Sequence, residues 1–379
     1  MTNTVWAFAI VGLQHTKFLD AVAVELERRT SLFDTQEISN GLWALATLDH
    51  FPPDLLHRLE STVVALRRNP KNSEFWTTRS IASVWKRQEM ANLAWVCAVF
   101  GEFPPDLIRM LYMGLVGVGD NPNPDYVTEC HASARLGTDD GISSSFVMSL
   151  TYLQMRLDLE SDLDIHLPRG FPDDWLRRGY ASPTPTSSRG SLTAIETESL
   201  FERVDGELRL NTSVLQQAVS AALNLIGFRH VEEFVFDMTT LSNDYGILNA
   251  GTDSNGSQLQ TEILSLDMAN VADRIGIEVD GPGHFITNID NFHAITADED
   301  EGHVPTEVFR SPNGKTEVVF GWNNKSKRFR IKTNGPTSLK LRILRAMGWK
   351  IHNIPFWEWS EVVGDDTAEE EYCRSLLKN

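Results

Sequence analysis

The fold of the C-terminal third is decided by the stretch Ile277-Glu278-Val279-Asp280-Gly281-Pro282-Gly283-His284-Phe285. Its first four residues alternate between apolar and acidic, as in a half-buried β-strand, so both carboxylates project from one face. The Gly-Pro-Gly turn ends the strand before His284 and Phe285. Two carboxylates on one face repel each other and need a metal, a basic partner or a polar ligand. The stretch therefore indicates a strand that carries a site.

Length and composition describe an ordinary globular chain. Its 379 residues are enough for two or three domains. No apolar run reaches the roughly 20 residues that a membrane span requires. The three cysteines, Cys97, Cys130 and Cys373, are far apart. They predict neither a disulfide framework nor a zinc site, and they fit a reducing compartment.

Charge is distributed unevenly along the chain. The net charge of −18 argues against wholesale nucleic-acid binding. Between Trp322 and Trp357, however, no acidic residue occurs and nine cations do: Lys325, Lys327, Arg328, Arg330, Lys332, Lys340, Arg342, Arg345 and Lys350. This basic island indicates either a localised anion-binding surface or an ordinary solvated face, and charge alone does not separate the two.

An internal repeat occupies residues 1–115. Three Asn-x-x-Trp units contain Trp6, Trp43 and Trp95, and the last two are each followed by Phe-Pro-Pro-Asp-Leu. The apolar residues have helical spacing, and Pro-Pro-Asp opens a second helix where proline is tolerated. Each unit therefore predicts a helix pair that must stack into an α-solenoid to bury its face. We expect the tryptophans to lie in the core between repeats.

The remainder predicts a small mixed sheet with covering helices. We expect a loop plus a helix in 116–180, a linker in 181–200 and an α/β domain in 205–379. Within that domain the patterns predict two helices, Asn211–Ile226 and Leu339–Met347, and four strands: Val231–Phe236, Leu264–Ala269, Arg274–Asp280 and Lys350–Pro355.

Two further details concern the connection and the second helix. Residues 286–336 form a long insertion, in which Thr316–Trp322 and Arg328–Lys332 predict a hairpin. Thr337 or Ser338 is the expected cap of the helix that follows, and Gly348 is its expected end.

Three blocks in this order resemble the RAP domain. They are Glu278–Phe285, the run Ser338-Leu339-Lys340-Leu341-Arg342-Ile343-Leu344-Arg345-Ala346-Met347-Gly348-Trp349-Lys350, and Pro355-Phe356-Trp357-Glu358-Trp359. The similarity spans about residues 264–377. The N-terminal units resemble, more loosely, the helical repeats that precede RAP domains in FAST kinase-like (FASTK) mitochondrial RNA proteins and octotricopeptide-type organelle factors.

The resemblance implies both a fold and a role. The fold is an α-solenoid followed by a RAP domain of the restriction-endonuclease-like, PD-(D/E)xK type. The role is organellar RNA binding, in the processing, stability or translation of transcripts in the mitochondrial matrix, with the plastid as the alternative. The implied partners are single-stranded transcripts or ribosomal RNA and ribonucleoprotein granule proteins, with no membrane.

RNA recognition requires cations and aromatic rings on one surface. Single strands are held by positive charge along the backbone and by bases that stack on rings. Arg342 and Arg345 are three apart and share a helix face. We therefore expect six RNA-binding residues: His284, Lys340, Arg342, Arg345, Lys350 and Trp357. A buried Trp359 is expected beside them.

The nuclease pattern implied by the resemblance gives the carboxylates another role. On that pattern Asp267 and Glu278 are metal ligands, and Asp280 stands where a lysine is usual. The three could hold Mg²⁺ through oxygen ligands. Cleavage would also need a cation, which Lys340 or Arg342 would have to supply from the following helix.

Three functions therefore stay open. The first is an RNA-binding protein with no cofactor and no catalysis. The second is a divalent-metal-dependent RNA endonuclease with Asp267, Glu278, Asp280 and Lys340 as catalytic residues. The third is a ribonucleoprotein scaffold that does not touch RNA. A structural interpretation of the same residues is that the carboxylates pair with the basic side chains and lock the helix onto the sheet.

Overall fold

A computed structural model describes residues 1–65, 85–116, 144–165, 201–204, 207–210, 212–246, 262–289, 307–310, 316–320 and 331–378. The chain divides into two compact units. The first comprises Met1–Ala9, Thr16–Thr186 and Asp237–Ile263, and the second comprises Ile10–His15, Ser187–Phe236 and Leu264–Asn379. The linker expected in 181–200 lies outside the described residues, as does most of the loop expected after residue 115.

The described part of the chain contains these α-helices: α1 (Thr2–Val11), α2 (Thr16–Arg28), α3 (Thr35–Thr47), α4 (Leu55–Ala65), α5 (Arg87–Phe100), α6 (Pro105–Val116), α7 (Ser144–Glu160), α8 (Thr212–Leu225), α9 (Met238–Tyr245), α10 (Gly335–Ala346), α11 (Phe356–Ser360) and α12 (Asp366–Lys378). None of these helices combines the length and the apolar character needed to cross a bilayer.

The described strands are β1 (Leu13–Gln14), β2 (Phe201–Val204), β3 (Glu207–Leu210), β4 (Val231–Asp237), β5 (Glu262–Asn270), β6 (Ile275–Asp280), β7 (Phe285–Asn288), β8 (Glu307–Arg310), β9 (Thr316–Phe320), β10 (Ile331–Thr333) and β11 (Lys350–Pro355). Helix and strand are therefore both present, as the α plus α/β prediction requires. The solenoid and the restriction-endonuclease-like fold stay predictions.

Helix pairs form the repeat region, as the repeated pentapeptide predicts. The first pentapeptide leads into α4 and the second into α6, which begins at Pro105. Helix α3 packs against α5, and α4 packs against α6. Glu60 of α4 also accepts the backbone N–H of Asp106 at 2.7 Å. One repeat thus satisfies a free amide at the start of the next repeat's second helix.

The repeat tryptophans do not all share one environment. Trp43 and Trp95 are half-buried, and their ring centroids are 6.2 Å apart. They therefore meet between neighbouring repeats, as expected. Trp6 is 45% exposed, so the prediction of a core position is wrong for this residue. The reason is its position on α1, because the side of that helix that is buried carries Val5 and Ala9.

A four-stranded sheet forms the centre of the second unit. Its order is β11-β6-β5-β4. Strand β6 pairs in parallel with β11 along its whole length, from Ile275 beside Lys350 to Asp280 beside Pro355. Strand β5 pairs antiparallel with the start of β6. The four strands predicted from the sequence are all present with small changes at their ends.

One face of this sheet is covered by α8 and α12. The apolar stripe of α8 is buried against Ile277, Val279 and Ile354 of the sheet and against Trp359. Trp359 is fully buried, as expected. Because alternate residues of β6 enter this core, Glu278 and Asp280 project to the opposite face.

The predicted hairpin is wrong. Strand β9 pairs antiparallel with β8, and β10 pairs antiparallel with β7 instead. Strand β7 also accepts β1 as a parallel neighbour, which gives the three-stranded order β1-β7-β10. Of the predicted strands 316–322 and 328–332, the structure describes 316–320 and 331–332, and both of these parts are strands. Their partners are set by contacts distant in sequence, which local pattern does not contain.

Helix α10 begins earlier than predicted. Asn334 is its cap, and its Oδ1 accepts the backbone N–H of Thr337 at 3.0 Å. The expectation of Thr337 or Ser338 as the cap is therefore wrong, because an asparagine stands one turn earlier with Pro336 in the first turn behind it. The helix ends at Ala346, and Gly348, the expected stop, follows with a φ of +85° that favours glycine.

Candidate functional site

The two carboxylates of the opening stretch lie at the C-terminal end of β6 and are almost fully buried. Glu278 is 3% exposed and Asp280 is 1% exposed. The parallel register sets Glu278 beside Asn353 of β11. Buried carboxylates require partners, and each one has a different set.

Lys340 reaches Glu278 from α10. Its Nζ lies 2.5 Å from Glu278 Oε2. Lys340 keeps 26% of its side chain exposed, whereas the Glu278 side chain keeps 4%. The cation is therefore supplied from the following helix. The same contact also fits the structural interpretation, in which the ion pair fastens α10 to the sheet.

Two polar side chains, Asn353 and His284, contact the carboxylate of Asp280. Its Oδ2 accepts the side-chain amide of Asn353 at 2.7 Å. Its Oδ1 lies 3.3 Å from His284 Nδ1, and that same nitrogen lies 3.1 Å from Thr337 Oγ1. His284 is 47% exposed at its side chain, so it forms the solvent-facing border of the carboxylate group.

Asp267 has both of its oxygens in hydrogen bonds. Oδ1 accepts the side-chain amide of Gln216 on α8 at 2.8 Å, and Oδ2 accepts the backbone N–H of Val279 at 2.7 Å. The second bond ties Asp267 to the residue between Glu278 and Asp280. Asp267 therefore acts as a backbone partner of β6 as well as a neighbour of its carboxylates.

Burial raises the pKa of two of these acids. Desolvation is the largest cause for Glu278, and it raises the pKa to about 7 against the opposing effect of Lys340. Desolvation also raises the pKa of Asp267, although the hydrogen bond from Val279 lowers it in part. The site thus holds acids that are harder to ionise than ordinary carboxylates.

The fit of a metal ion to these residues is incomplete. Glu278 Oε1 and Asp280 Oδ1 are buried and accept no hydrogen bond from a described residue, although His284 Nδ1 lies 3.3 Å from Asp280 Oδ1. Carboxylate oxygens of this kind are suitable ligands for Mg²⁺. Across the described ranges, however, no three His, Cys, Asp or Glu side chains are grouped so that they could hold one ion. The third expected ligand, Asp267, is occupied by Gln216 and Val279.

The cations expected to bind RNA do not form one row on α10. Lys340 points towards the sheet and Glu278. Arg342 is half-buried, and its Nε donates to the Ser338 carbonyl at 3.3 Å. Arg345 and Lys350 are exposed. Residues two apart on a helix point in nearly opposite directions, which separates Lys340 from Arg342.

Trp357 packs against the core rather than standing free. It is half-buried, and its ring centroid lies 4.4 Å from that of Phe285 in an edge-to-face contact. The two residues come from different blocks of the sequence resemblance. This contact joins the start of β7 to α11.

Three polar residues of the site were missed by the sequence reasoning: Gln216, Thr337 and Asn353. Thr337 was noticed only as a possible cap. Asn353 had a usable signal, since a polar residue inside the buried-type strand Lys350–Pro355 needs a partner. Gln216 had none, because it stands beside the apolar stripe of an amphipathic helix.

Comparison with protein families places the C-terminal elements in a known domain. The model described as RAP domain matches residues 320–376, which contain α10, β11, α11 and most of α12. The chain carries a RAP domain. The model described as FAST kinase-like protein, subdomain 1, matches residues 1–63, which contain α1 to α3 and most of α4. No curated protein matches the chain.

The two matches confirm the resemblance to a RAP-domain, FASTK-like protein. The RAP match includes Lys340 and Asn353 but begins after Glu278 and Asp280. In the fold, β6 pairs with β11 of the RAP domain throughout its length. The carboxylate group is therefore shared between the RAP domain and the strands that precede it. Both matches suggest an RNA-binding role.

Proposed function

We propose that this protein binds single-stranded organellar RNA, transcripts or ribosomal RNA, in the mitochondrial matrix. Its role is in the processing, stability or translation of that RNA. Contact with RNA is made by the stacked helix pairs and by the RAP domain. Ribonucleoprotein granule proteins are its expected protein partners.

The proposal is carried by the combination of a RAP domain and a FAST kinase-like subdomain in one chain. The cations Arg345 and Lys350 of the RAP segment support it, because both are exposed and exposed cations are the groups that contact RNA phosphates. The net charge of −18 limits binding to such localised surfaces.

Direct binding is tested by fluorescence anisotropy of a labelled single-stranded RNA titrated with the full chain. The expected result is saturable binding that weakens as the salt concentration rises. Crosslinking in cells then identifies the bound transcripts and their compartment. Absence of RNA affinity together with a stable protein partner in a pull-down would favour the scaffold alternative.

A divalent-metal-dependent RNA endonuclease is the second candidate. It is favoured by one arrangement: Lys340 reaches Glu278, and neither Glu278 Oε1 nor Asp280 Oδ1 accepts a hydrogen bond from a described residue. Incubation of labelled RNA with the protein and Mg²⁺ or Mn²⁺ tests it. Cleavage by the parent that is abolished in both Asp267→Ala and Glu278→Gln would establish this candidate. RNA that stays intact with the parent would rule it out and leave RNA binding as the function.

A further inference from the structure

A hydrogen-bonded cluster outside the carboxylate group joins α8 to the start of β4. Ser220 of α8 is buried, and its Oγ lies 2.9 Å from His230 Nε2. The same hydroxyl donates to Glu232 Oε1. On the other side of the ring, His230 Nδ1 lies 3.0 Å from the Phe228 carbonyl oxygen. The hydroxyl of Ser220 therefore stands between an imidazole and a carboxylate.

The side of α8 that carries Ser220 faces the central sheet. Gln216 lies one turn earlier on the same side of the helix, and its side-chain amide donates to Asp267 of β5 at 2.8 Å. Strand β4 is next to β5 in the sheet. Helix α8 therefore makes one polar contact with each of two neighbouring strands, and its contact with β4 passes through Ser220.

The number of protons in the cluster determines which of its bonds can form together. A carbonyl oxygen only accepts, so the single proton of a neutral His230 ring lies on Nδ1 and is donated to Phe228. Nε2 is then an acceptor, and Ser220 has one proton to offer. That proton cannot serve both His230 Nε2 and Glu232 Oε1. When His230 is neutral, one of these two contacts is therefore lost.

A protonated His230 ring allows all three bonds to form together. Both ring nitrogens are then donors, so Nε2–H donates to Ser220 Oγ and the Ser220 proton goes to Glu232. The hydroxyl thus links an imidazolium to a carboxylate through charge-assisted bonds. When the ring loses a proton, the hydroxyl turns to Nε2, because His230 is partly buried whereas the exposed Glu232 can accept bonds from water.

Other charged groups near the cluster act on His230 independently of this hydroxyl. Helix α8 carries no charged residue between Thr212 and Leu225. Arg229 and Glu233 flank the cluster in the chain, and Asp267 lies on β5. On α12, which packs against α8, Glu369 shares the inward side one turn from the buried Cys373. The charges of these groups are the same whether residue 220 has a hydroxyl or not, so a serine variant separates the two effects.

We infer that Ser220 is a pH-dependent switch between α8 and β4, whose hydroxyl donates to Glu232 while His230 is protonated and to His230 when the ring is neutral. The link between helix and strand is complete on the acid side of the imidazole titration, and it loses the Glu232 contact as pH rises. Strand β4 stands last in the order of the central sheet, so its start is held less firmly at alkaline pH. The switch is a property of the fold and does not rest on RNA binding.

Double-mutant cycles measured by urea unfolding of the full chain test the switch. His230→Asn keeps a donor for the Phe228 carbonyl and removes Nε2, and Glu232→Ala removes the carboxylate. At about pH 5 the two changes should be coupled by about two- to five-fold in the equilibrium constant of unfolding, as for a partly exposed ion pair. At about pH 9, beyond the range in which imidazoles ordinarily titrate, the coupling should vanish.

The same cycle in a Ser220→Ala background isolates the hydroxyl. Alanine is the best helix former, so this variant should keep α8 intact, and the coupling should vanish at both pH values. Glu233→Ala is the matched control, and its coupling to His230 should be the same with and without the Ser220 hydroxyl. Coupling between His230 and Glu232 that persists in Ser220→Ala would mean direct attraction and overturn the switch, as would equal coupling at both pH values.

The positions of the ring protons give a second measurement that does not depend on unfolding. Long-range ¹H–¹⁵N spectra of protein labelled with ¹⁵N-histidine report both ring nitrogens, and the His230 signals are those absent from His230→Asn. The ring should carry protons on both nitrogens at the acid pH and on Nδ1 alone at the alkaline pH. A neutral ring protonated on Nε2 alone would contradict the bond to Phe228 and overturn the inference.

Discussion

Lys340 and Glu278 form an ion pair in which the Nζ to Oε2 distance is 2.5 Å, across 62 positions of sequence. Glu278 is buried and Lys340 is partly exposed. The pair therefore joins α10 to β6 from the solvent side of the helix–sheet interface. Removal of this ion pair should therefore lower the free energy of unfolding more than it weakens RNA binding.

Lys340→Met should lower the free energy of unfolding by about 2 kcal/mol, less than the roughly 3–5 kcal/mol for a fully buried pair. The cost arises because Glu278 would be left buried without its cation. The double variant Lys340→Met with Glu278→Gln should recover part of this loss, since no charge then remains unpaired. Urea unfolding of the three proteins measures the effect, and a Lys340→Met protein as stable as the parent would rule out the fastening role.

The raised pKa of Glu278 predicts a specific pH dependence. Its pKa of about 7 in the folded protein lies above the ordinary value of 4.5, so the folded state holds the proton more tightly than the unfolded state. The resulting stabilisation is complete below about pH 4.5 and is lost as pH rises to about 7. By linkage it amounts to on the order of 3 kcal/mol.

Glu278→Gln provides the measurement for this titration. As pH rises from 5 to 7, the unfolding free energy of the parent should fall relative to that of the variant. The difference between the two should then level off. Contributions common to both proteins, including those of most other acids, cancel in the difference. A difference that stays constant across this range would show that Glu278 ionises normally.

Gly276 of β6 leaves room for the buried side chains of Leu266 and Ile351, which come from the two neighbouring strands. A Cβ at this position would lie 2.7 Å from Ile351 Cδ1 and 2.8 Å from Leu266 Cδ2. Gly276→Ala should therefore destabilise the protein by about 1–3 kcal/mol through overpacking. Ile351→Val is the matched control, and combining it with Gly276→Ala should restore part of the loss in thermal or urea unfolding. Additive losses in the combined variant would contradict the packing explanation.

Local sequence pattern predicted the strands of the central sheet and the carboxylate face of β6. The alternation around Glu278 is a short-range property, and the basic residues of α10 are equally visible. The orientation of Lys340 towards the sheet was left open, because it depends on which side of α10 packs inward. The partners Asn353 and Gln216 depend on register and on a bond across 51 positions, and no local periodicity contains that information.

Trp357 tests whether an aromatic residue of the RAP domain binds bases or packs the core. Its edge-to-face contact with Phe285 favours packing, and Trp357→Ala should lower the unfolding free energy by roughly 2 kcal/mol for a half-buried ring. Trp357→Phe should retain most of the stability and most of the RNA affinity. If Trp357→Ala weakens RNA binding while unfolding is unchanged, base stacking is the correct role.

The pairing of β1 with β7 predicts that residues near the N-terminus protect backbone amides of the second unit from hydrogen exchange. The amides of Thr287 and Ile289 donate to the carbonyls of Gly12 and Gln14, both at 2.8 Å. No pattern in the sequence indicated this pairing, because two residues are too few for a strand signal. A chain that begins at residue 16 should exchange the Thr287 and Ile289 amide hydrogens faster than the full chain does. The amide of Ile277 in the central sheet is the internal control, and its exchange should be unchanged. Equal protection of Thr287 and Ile289 in both chains would mean that β1 does not hold the edge of β7 in solution.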